Sequence, residues 1–342
     1  MNQKQSLIGL TLAGLKHVAQ ECGMPGFAAG QMAKWLYEKR VTEIDEMTNL
    51  SKEARRRLGE RYCIGRIAPK QSAVSSDGTV KYLFDGVGNR DIESVMIPDH
   101  DRATLCVSSQ AGCKMNCSFC MTGRQGWHGN LTAAGIINQI LSVPESALLT
   151  NIVFMGMGEP MDNLRAVLDV IEILTAPWGL AWSPKRITVS SIGKLKELQE
   201  LLEKTKVHIA ISVHSPFSEE RASLMPVERA YPVAEVIAML KDYDFAHQRR
   251  LSVEYIMWHG VNDDMRHADA LVRLLKGSDA RVNLIRFHAI PDVDLRPSSE
   301  RIMVAFRDRL NALGITATIR ASRGEDIMAA CGMLAGQSRK KA

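Results

Sequence analysis

The segment Thr104-Leu-Cys-Val-Ser108 is a short apolar run, and Cys113-Lys-Met-Asn-Cys117-Ser-Phe-Cys120 follows it almost at once. A strand that empties into a loop of thiols is the arrangement by which α/β barrels carry chemistry, on the loops after their strands. Three thiolates in so short a stretch can converge on one metal centre. Cysteine thiolates are the usual ligands of iron-sulfur clusters, and a cubane held by only three leaves its fourth iron open. The alternative is a zinc site completed by His128, because closed tetrahedral zinc needs four donors. Zinc spacings usually pair C-x2-C knuckles, whereas this run is C-x3-C-x2-C with Phe119 before its last cysteine.

Downstream of the triad, short apolar runs alternate with helical patterns. The candidate strands are Thr104–Ser108, Ile152–Met155, Arg186–Ser190, His208–Val213, Leu251–Met257, Val282–Phe287 and Ile315–Arg320. Helical periodicity fills the intervals at Asn163–Leu174, Lys194–Leu202, Val233–Leu240, His267–Leu275 and Ser299–Leu313. Such alternation predicts a parallel sheet with crossover helices, as an open doubly wound sheet or a full or partial barrel. Upstream, Thr79–Phe84 and Ile92–Ile97 flank the turn Asp85-Gly-Val-Gly-Asn89 and read as a β-hairpin. Earlier still, Ala28, Met32, Trp35 and Leu36 share a helical face, and Ser51 is placed to cap a helix through Ala54, Leu58 and Tyr62. The predicted organisation is a helical accessory domain over 1–72, a linking β-hairpin over 73–100, an α/β core over 101–335 and a basic tail over 336–342.

The bulk numbers agree with one large and one small unit. The chain has 342 residues, 46% hydrophobic and 24% charged, an ordinary globular composition that argues against extensive disorder. No apolar run is long enough for a signal peptide core or a membrane span. Seven cysteines, an odd number, do not form a secreted disulfide framework, so a reducing cytoplasm is expected. Residues 1–70 hold 12 Lys/Arg against 7 Asp/Glu, and the remainder is balanced at 31 of each. The whole net charge of +5 therefore lies in the amino-terminal segment, densest at Arg55, Arg56, Arg57, Arg61 and Arg66, with Arg339, Lys340 and Lys341 in the tail. Such a patch suits a polyanion such as RNA, and a solvated helix face is the plain alternative.

The C-x3-C-x2-C run resembles the signature of the radical S-adenosylmethionine (SAM) superfamily, in which SAM binds the open iron of a [4Fe-4S] cluster on the three cysteines. Gly156-Met-Gly158-Glu159-Pro160 resembles the superfamily's GE motif, which contacts the SAM amino group. Further segments resemble the RlmN and Cfr group of RNA adenosine methyltransferases. They include Leu105–Cys113, Val189-Ser-Ser-Ile-Gly193, Ile211-Ser-Val-His-Ser215, Val282-Asn-Leu-Ile-Arg286, Arg323–Gly332 and, near the amino end, Gly23-Met-Pro-Gly-Phe27 with Gln31–Tyr37. The resemblance spans almost the entire chain. It implies a partial (β/α)6 radical SAM barrel with the helical accessory domain and hairpin already described. It further implies Cys113, Cys117 and Cys120 as cluster ligands, with Gly158, Glu159, Ser190, Ser212, Val213, His214 and Asn283 binding SAM.

The resemblance also implies a mechanism. An aromatic C–H carbon of adenine is a poor nucleophile, so the group first methylates a cysteine, here Cys331. A second SAM then yields a 5′-deoxyadenosyl radical, so two SAM are spent per turnover, and the S-methyl carbon adds to the ring. Release requires a proton acceptor, matched here by Glu93, and a resolving thiol, Cys106, which forms a disulfide with Cys331 by ordinary thiol exchange. The plain alternative for Glu93 is an edge-strand acid in solvent, and Cys22 and Cys63 read as structural thiols. The implied substrates are an adenosine of 23S rRNA and an anticodon-loop adenosine of tRNAs, methylated at C2. A flavodoxin or ferredoxin is the implied electron donor, and the chain is expected to be a monomer without membrane association. Competing expectations are Cfr-like methylation at C8, a radical SAM enzyme of a metabolite, and an RNA-binding protein with a structural cluster.

Overall fold

The computed structural model describes residues 4–247 and 249–336, so most of the basic tail, with Arg339, Lys340 and Lys341, lies outside the described residues. Its centre is a ten-stranded sheet. We number its strands β1 (Gln71–Val74), β2 (Val80–Asp85), β3 (Asp91–Asp99), β4 (Arg102–Cys106) and β5 (Asn151–Phe154). The remainder are β6 (Ile187–Ser191), β7 (His208–Ser212), β8 (Leu251–Met257), β9 (Arg281–Arg286) and β10 (Ala317–Ile319).

From β4 to β10 every neighbouring pair is parallel and the spatial order is the chain order. A doubly wound sheet would reverse its order at a switch point; this one never does. It therefore curves as a barrel with one helical crossover per step, and β10 pairs only with β9, so the barrel stays open along one side. This is an α/β fold with a partial parallel barrel, as expected, with seven parallel strands. The outward side chains of β8, Leu251, Val253, Tyr255 and Met257, are fully buried beneath the surrounding helices.

Two elements depart from the sequence expectation. Helix Ala133–Ser142 was not foreseen because Ile136 through Leu141 are all buried. A helix covered on most sides loses the one-sided periodicity that reveals it. Likewise β1 to β3 are antiparallel neighbours continuous with β4, so the hairpin extends the main sheet, with Val95 opposite Cys106.

The amino-terminal helices are Leu12–Glu21, Ala28–Ala33 and Lys52–Arg61. Thr11 and Ser51 cap the first and last, accepting from the amides of Gly14 and Ala54. This unit rests on helix Ala133–Ser142. Asn138 exchanges two hydrogen bonds with the backbone of Ile67, at 2.8 and 2.9 Å. Arg66 donates to the carbonyls of Arg40 and Leu141. Among the described residues no helix is long and apolar enough to cross a membrane.

Because Arg66 joins two units through partly buried carbonyls, Arg66→Ala should cost about 1–3 kcal/mol. Thermal melting and limited proteolysis check this: the amino-terminal helices should become cleavable before the barrel. Equal resistance of both units in variant and wild type would contradict the assignment.

Candidate active site

The cysteine loop is clasped at its base by a two-stranded ribbon, Gln110–Gly112 against Trp127–Asn130. Gly112 has φ +74°, and a Cβ there would fall 1.8 Å from the Gly126 carbonyl oxygen. Only glycine turns the chain at this point, so Cys113 enters directly over the barrel mouth. Cys113 and Cys117 are buried and Cys120 is half-buried. All three line a single cavity at the carboxyl ends of the strands. Burial pushes all three thiols up, with Cys113 at about 12.

The opposite wall is the turn after β5. Gly158 has φ +99°, and a Cβ would come within 2.5 Å of Gln110 Cβ, while Gln110 Oε1 accepts the Glu159 amide at 2.8 Å. The Glu159 carboxylate thereby faces the cavity. It accepts from Ser191 Oγ at 2.7 Å and from the amides of Met161 and Ile192, both at 3.1 Å. Burial outweighs these donors and raises its pKa to about 7. A buried carboxylate of this kind favours a bound ammonium, which restores its charge balance.

At the ends of β6 and β7, Ser190 and Ser212, with His214 just beyond, complete the wall. His214 takes a left-handed φ of +60° and accepts the Ile256 amide at Nδ1, 3.1 Å away. Burial, then the nearby Arg221 cation, lowers its pKa to about 3. His214 is therefore neutral, with its proton on Nε2 as a donor. Beneath these turns lies Arg221, fully buried and ion-paired with Glu228. Its guanidinium donates to the carbonyls of Val213 at 3.0 Å, Ser212 at 2.8 Å and Ile192 at 3.2 Å. One cation thus fixes the backbone beyond two strands.

The carboxyl-terminal segment closes the site. The Met121 amide donates to the Gly332 carbonyl at 2.8 Å, and Thr122 Oγ1 donates to that of Leu334 at 2.6 Å. Exposed Cys331 is thereby brought to the wall of the cysteine cavity and of the cleft along the open barrel edge. Cys106, buried at the end of β4, has its thiol raised to about 12 by burial and by Cys331, with Arg320 opposing. Cys331 also acts on Cys120, so it stands in the field of both the triad and Cys106. Among the described residues no cysteine is disulfide-bonded.

Three of the expected site residues stand elsewhere. Val213 is buried in the core and contributes only its backbone, its carbonyl accepting from Arg221 and its amide donating to the Glu254 carbonyl. Asn283 projects into the barrel below the cavity, donating to Glu254 Oε1 at 2.7 Å. Glu93 is off the cavity wall; Lys81 Nζ lies 3.2 Å from Oε1, and Oε2 accepts the amides of Ala335 and Gly336 at 2.9 and 3.2 Å. Sequence reasoning missed Ser191, Arg221, Glu254 and Arg320. Ser191 had a signal in its adjacency to Ser190, whereas Arg221 looks like a surface charge in Ser218-Glu-Glu-Arg.

The amino-terminal patch is partly spent on structure. Arg56 pairs with Glu53 and Glu60, Arg55 with Asp45, and Arg66 with partly buried carbonyls. A continuous unpaired stripe is therefore not what these arginines form.

The cavity fits a cubane. Three thiols share one wall with open space before them, and Met115, Phe119 and Ile192 line it beside them. Among the described residues no three His, Cys, Asp or Glu side chains converge as a single-ion site requires. A cubane instead spreads its thiolates over separate irons. His128, the expected fourth zinc donor, has Nε2 3.1 Å from the Gln125 carbonyl and lies off the cavity.

Comparison with known proteins agrees with this geometry. A family model described as the Radical SAM superfamily matches residues 107–271. Another, described as the ribosomal RNA large subunit methyltransferase N-terminal domain, matches residues 5–64. The chain is 59% identical over 334 residues to a Parabacteroides distasonis protein named probable dual-specificity RNA methyltransferase RlmN, covering 98% of this chain and 97% of that one. It is 39% identical over 335 residues to a Geotalea uraniireducens protein named dual-specificity RNA methyltransferase RlmN, covering 98% of each. A crystal structure of a radical SAM methyltransferase from Sphaerobacter thermophilus superposes with TM-score 0.90 at 39% identity, covering 96% of this chain and 99% of that one.

Two outcomes follow from the buried charges. Arg221→Ala strands Glu228 and should cost about 3–5 kcal/mol in denaturant melts, a loss that Arg221→Met with Glu228→Leu should largely restore. Persisting instability in the double variant would contradict the pairing argument. Glu159, with a folded pKa of about 7 above its ordinary 4.5, binds its proton more tightly when folded. Its contribution to stability is full below about pH 4.5 and is lost as pH rises through 7. In cluster-free protein, a carboxyl infrared band absent from Glu159→Gln should titrate near pH 7; a midpoint near 4.5 would refute the burial argument.

Proposed function

We propose that this chain, which belongs to the RlmN family of the radical SAM superfamily, methylates C2 of an adenosine in 23S rRNA and in the anticodon loop of tRNAs. The observation that carries this reading is that Cys331, from the far end of the chain, shares a cavity wall with Cys113, Cys117 and Cys120. Cys113, Cys117 and Cys120 would hold a [4Fe-4S] cluster, which would supply the single electron that cleaves SAM to a 5′-deoxyadenosyl radical. Two SAM are spent per methyl group, one as methyl donor and one as radical source. A flavodoxin or ferredoxin is the class of electron donor.

The chain's own residues divide the remaining work. Glu159, oriented by Ser191 and the Ile192 amide, is matched to the SAM ammonium. Neutral His214 offers its Nε2 proton to an acceptor from beside the cavity, and Ser190 and Ser212 add hydroxyls. Cys331 carries the methyl group as a thioether: one S-methyl hydrogen atom passes to the 5′-deoxyadenosyl radical, the carbon radical left behind adds to C2, and rearomatisation of the adduct releases the ring proton and returns the one electron spent on SAM cleavage. Glu93 takes the ring proton. It lies on β3 with its carbonyl accepting from Ser108, two residues beyond Cys106, and it grips the segment that follows Cys331. Cys106 then attacks the Cys331 sulfur. A sulfur-sulfur bond forms, the carbon-sulfur bond breaks, and its electron pair leaves with the methyl carbon and is protonated there. A single-stranded or unstacked adenosine is required, because the ring carbon is inaccessible within a duplex.

Mass spectrometry of digested RNA from a cluster-loaded reaction tests this. The expected product is 2-methyladenosine, and 8-methyladenosine in its place would overturn the regiochemistry. Cys331→Ala should abolish methyl transfer while its iron content is retained. Cys106→Ala should accumulate RNA covalently joined to Cys331, and free methylated RNA from that variant would refute the resolving role.

A further inference from the structure

At the opposite end of the barrel the sequence builds a second constellation. Inward-facing residues recur at every second position of a strand and stack in layers within a parallel barrel. The lowest layer carries Arg102, Lys185, His208, Arg250 and Arg281 around one cavity, each at or within two residues of a strand start. Above it come Thr104, Thr188, Ser252, Asn283 and Thr318. Glu254, joined to Arg320 at 3.2 Å, lies deeper still, and both residues also line the cysteine cavity. Barrel interiors are ordinarily filled by branched apolar side chains. This one is a polar funnel with a basic mouth.

Among the described residues, the side chains of Arg102, Lys185, Arg250 and Arg281 have no ion-pair or hydrogen-bond partner. His208 accepts the Arg250 amide at Nδ1, 2.8 Å away, which leaves its Nε2 proton as a donor. Burial, followed by the Arg250 and Lys185 cations, lowers its pKa. Beside the mouth, buried Arg249 gives Nη2 to the carbonyls of Leu202 and Thr205, while Nη1 is buried without a partner among the described residues. The acids nearby do not cancel this charge: Glu254 is paired with Arg320, and Asp279 sits on the adjoining rim.

Four permanent like charges on a concave wall repel one another and focus a positive potential into the space they enclose. A multivalent anion removes that repulsion and gains charge-assisted hydrogen bonds. We propose that the amino-terminal mouth of the barrel is a binding site for compact phosphate polyanions of the di- or triphosphate class. Thr104 and Thr188 supply hydroxyl donors behind the cations, and the phosphates come either from a free oligophosphate or from successive phosphates of an RNA strand. The site is independent of the methyltransferase reading, because it uses none of the residues that line the cysteine cavity except the floor pair.

The test is titration calorimetry of the full, cluster-loaded chain with inorganic tripolyphosphate at about 0.15 M ionic strength, where weak surface attraction is screened. One equivalent should bind, and Lys185→Gln with Arg250→Gln should weaken it at least about tenfold. Lys16→Gln with Lys52→Gln, which removes equal charge from the helical domain, should leave it within about twofold. No binding, or equal weakening in both pairs, overturns the proposal. The His208 ring resonances of the unsubstituted protein should shift during the same titration, and an unmoved His208 also overturns it. Competition by a single-stranded RNA oligonucleotide that is lost in the Lys185/Arg250 variant assigns the site to RNA phosphates. Binding indifferent to RNA assigns it to a free oligophosphate.

Discussion

Two hydrogen bonds, from the Met121 amide to Gly332 and from Thr122 to Leu334, join stretches more than two hundred residues apart. On them depends whether Cys331 faces the cysteine triad at all. Each is worth only about 1 kcal/mol net, so the segment is secured by addition. Asp326 accepts from Ser75 at 2.5 Å and from the Ser76 amide at 3.1 Å, and Asp77 accepts the Gly324 amide at 3.0 Å. Glu93 holds its far end. The antiparallel strands β1 to β3 therefore act as the anchor of the segment that delivers Cys331. That explains why they are built into the sheet.

The two ends of the barrel are polarised by the chain direction. All seven core strands start at one end, where five of the inward positions are basic, and finish at the other, where buried thiols, a raised carboxyl and a neutral imidazole gather. The Glu254–Arg320 pair stands between them. Burial governs the upper end: it lifts Glu159 and the thiols and depresses His214. These groups are pushed towards neutrality until a charged ligand arrives. The fully buried Arg221–Glu228 pair is the exception, and its charge is balanced internally so that the strand-end carbonyls can be fixed.

Much of this was legible before any coordinates. The alternation of apolar runs and helical patterns located the seven parallel strands because each buried strand is a short continuous run bounded by turns. The triad, Glu159, Ser190, Ser212 and His214 were legible because they follow strands whose ends converge. Asn283 lies on an inward position one layer below the cysteine cavity, a matter of register that local sequence does not contain. Arg221 was hidden because its role is set by three carbonyls on two other segments. Ala133–Ser142 was hidden by being covered on most sides. The basic amino-terminal segment overstated its free charge, because Arg55, Arg56 and Arg66 are engaged within their own structure.

The central claim is that Cys331 is chemically part of the cysteine cavity. The most direct measurement is peptide mass spectrometry after the cluster-loaded protein has been incubated with methyl-labelled SAM in the absence of RNA. The account predicts one labelled methyl group, on the sulfur of Cys331, with the other six cysteines unlabelled. Label confined to Cys106, or an unlabelled Cys331 in protein that retains its iron and sulfide, would contradict it.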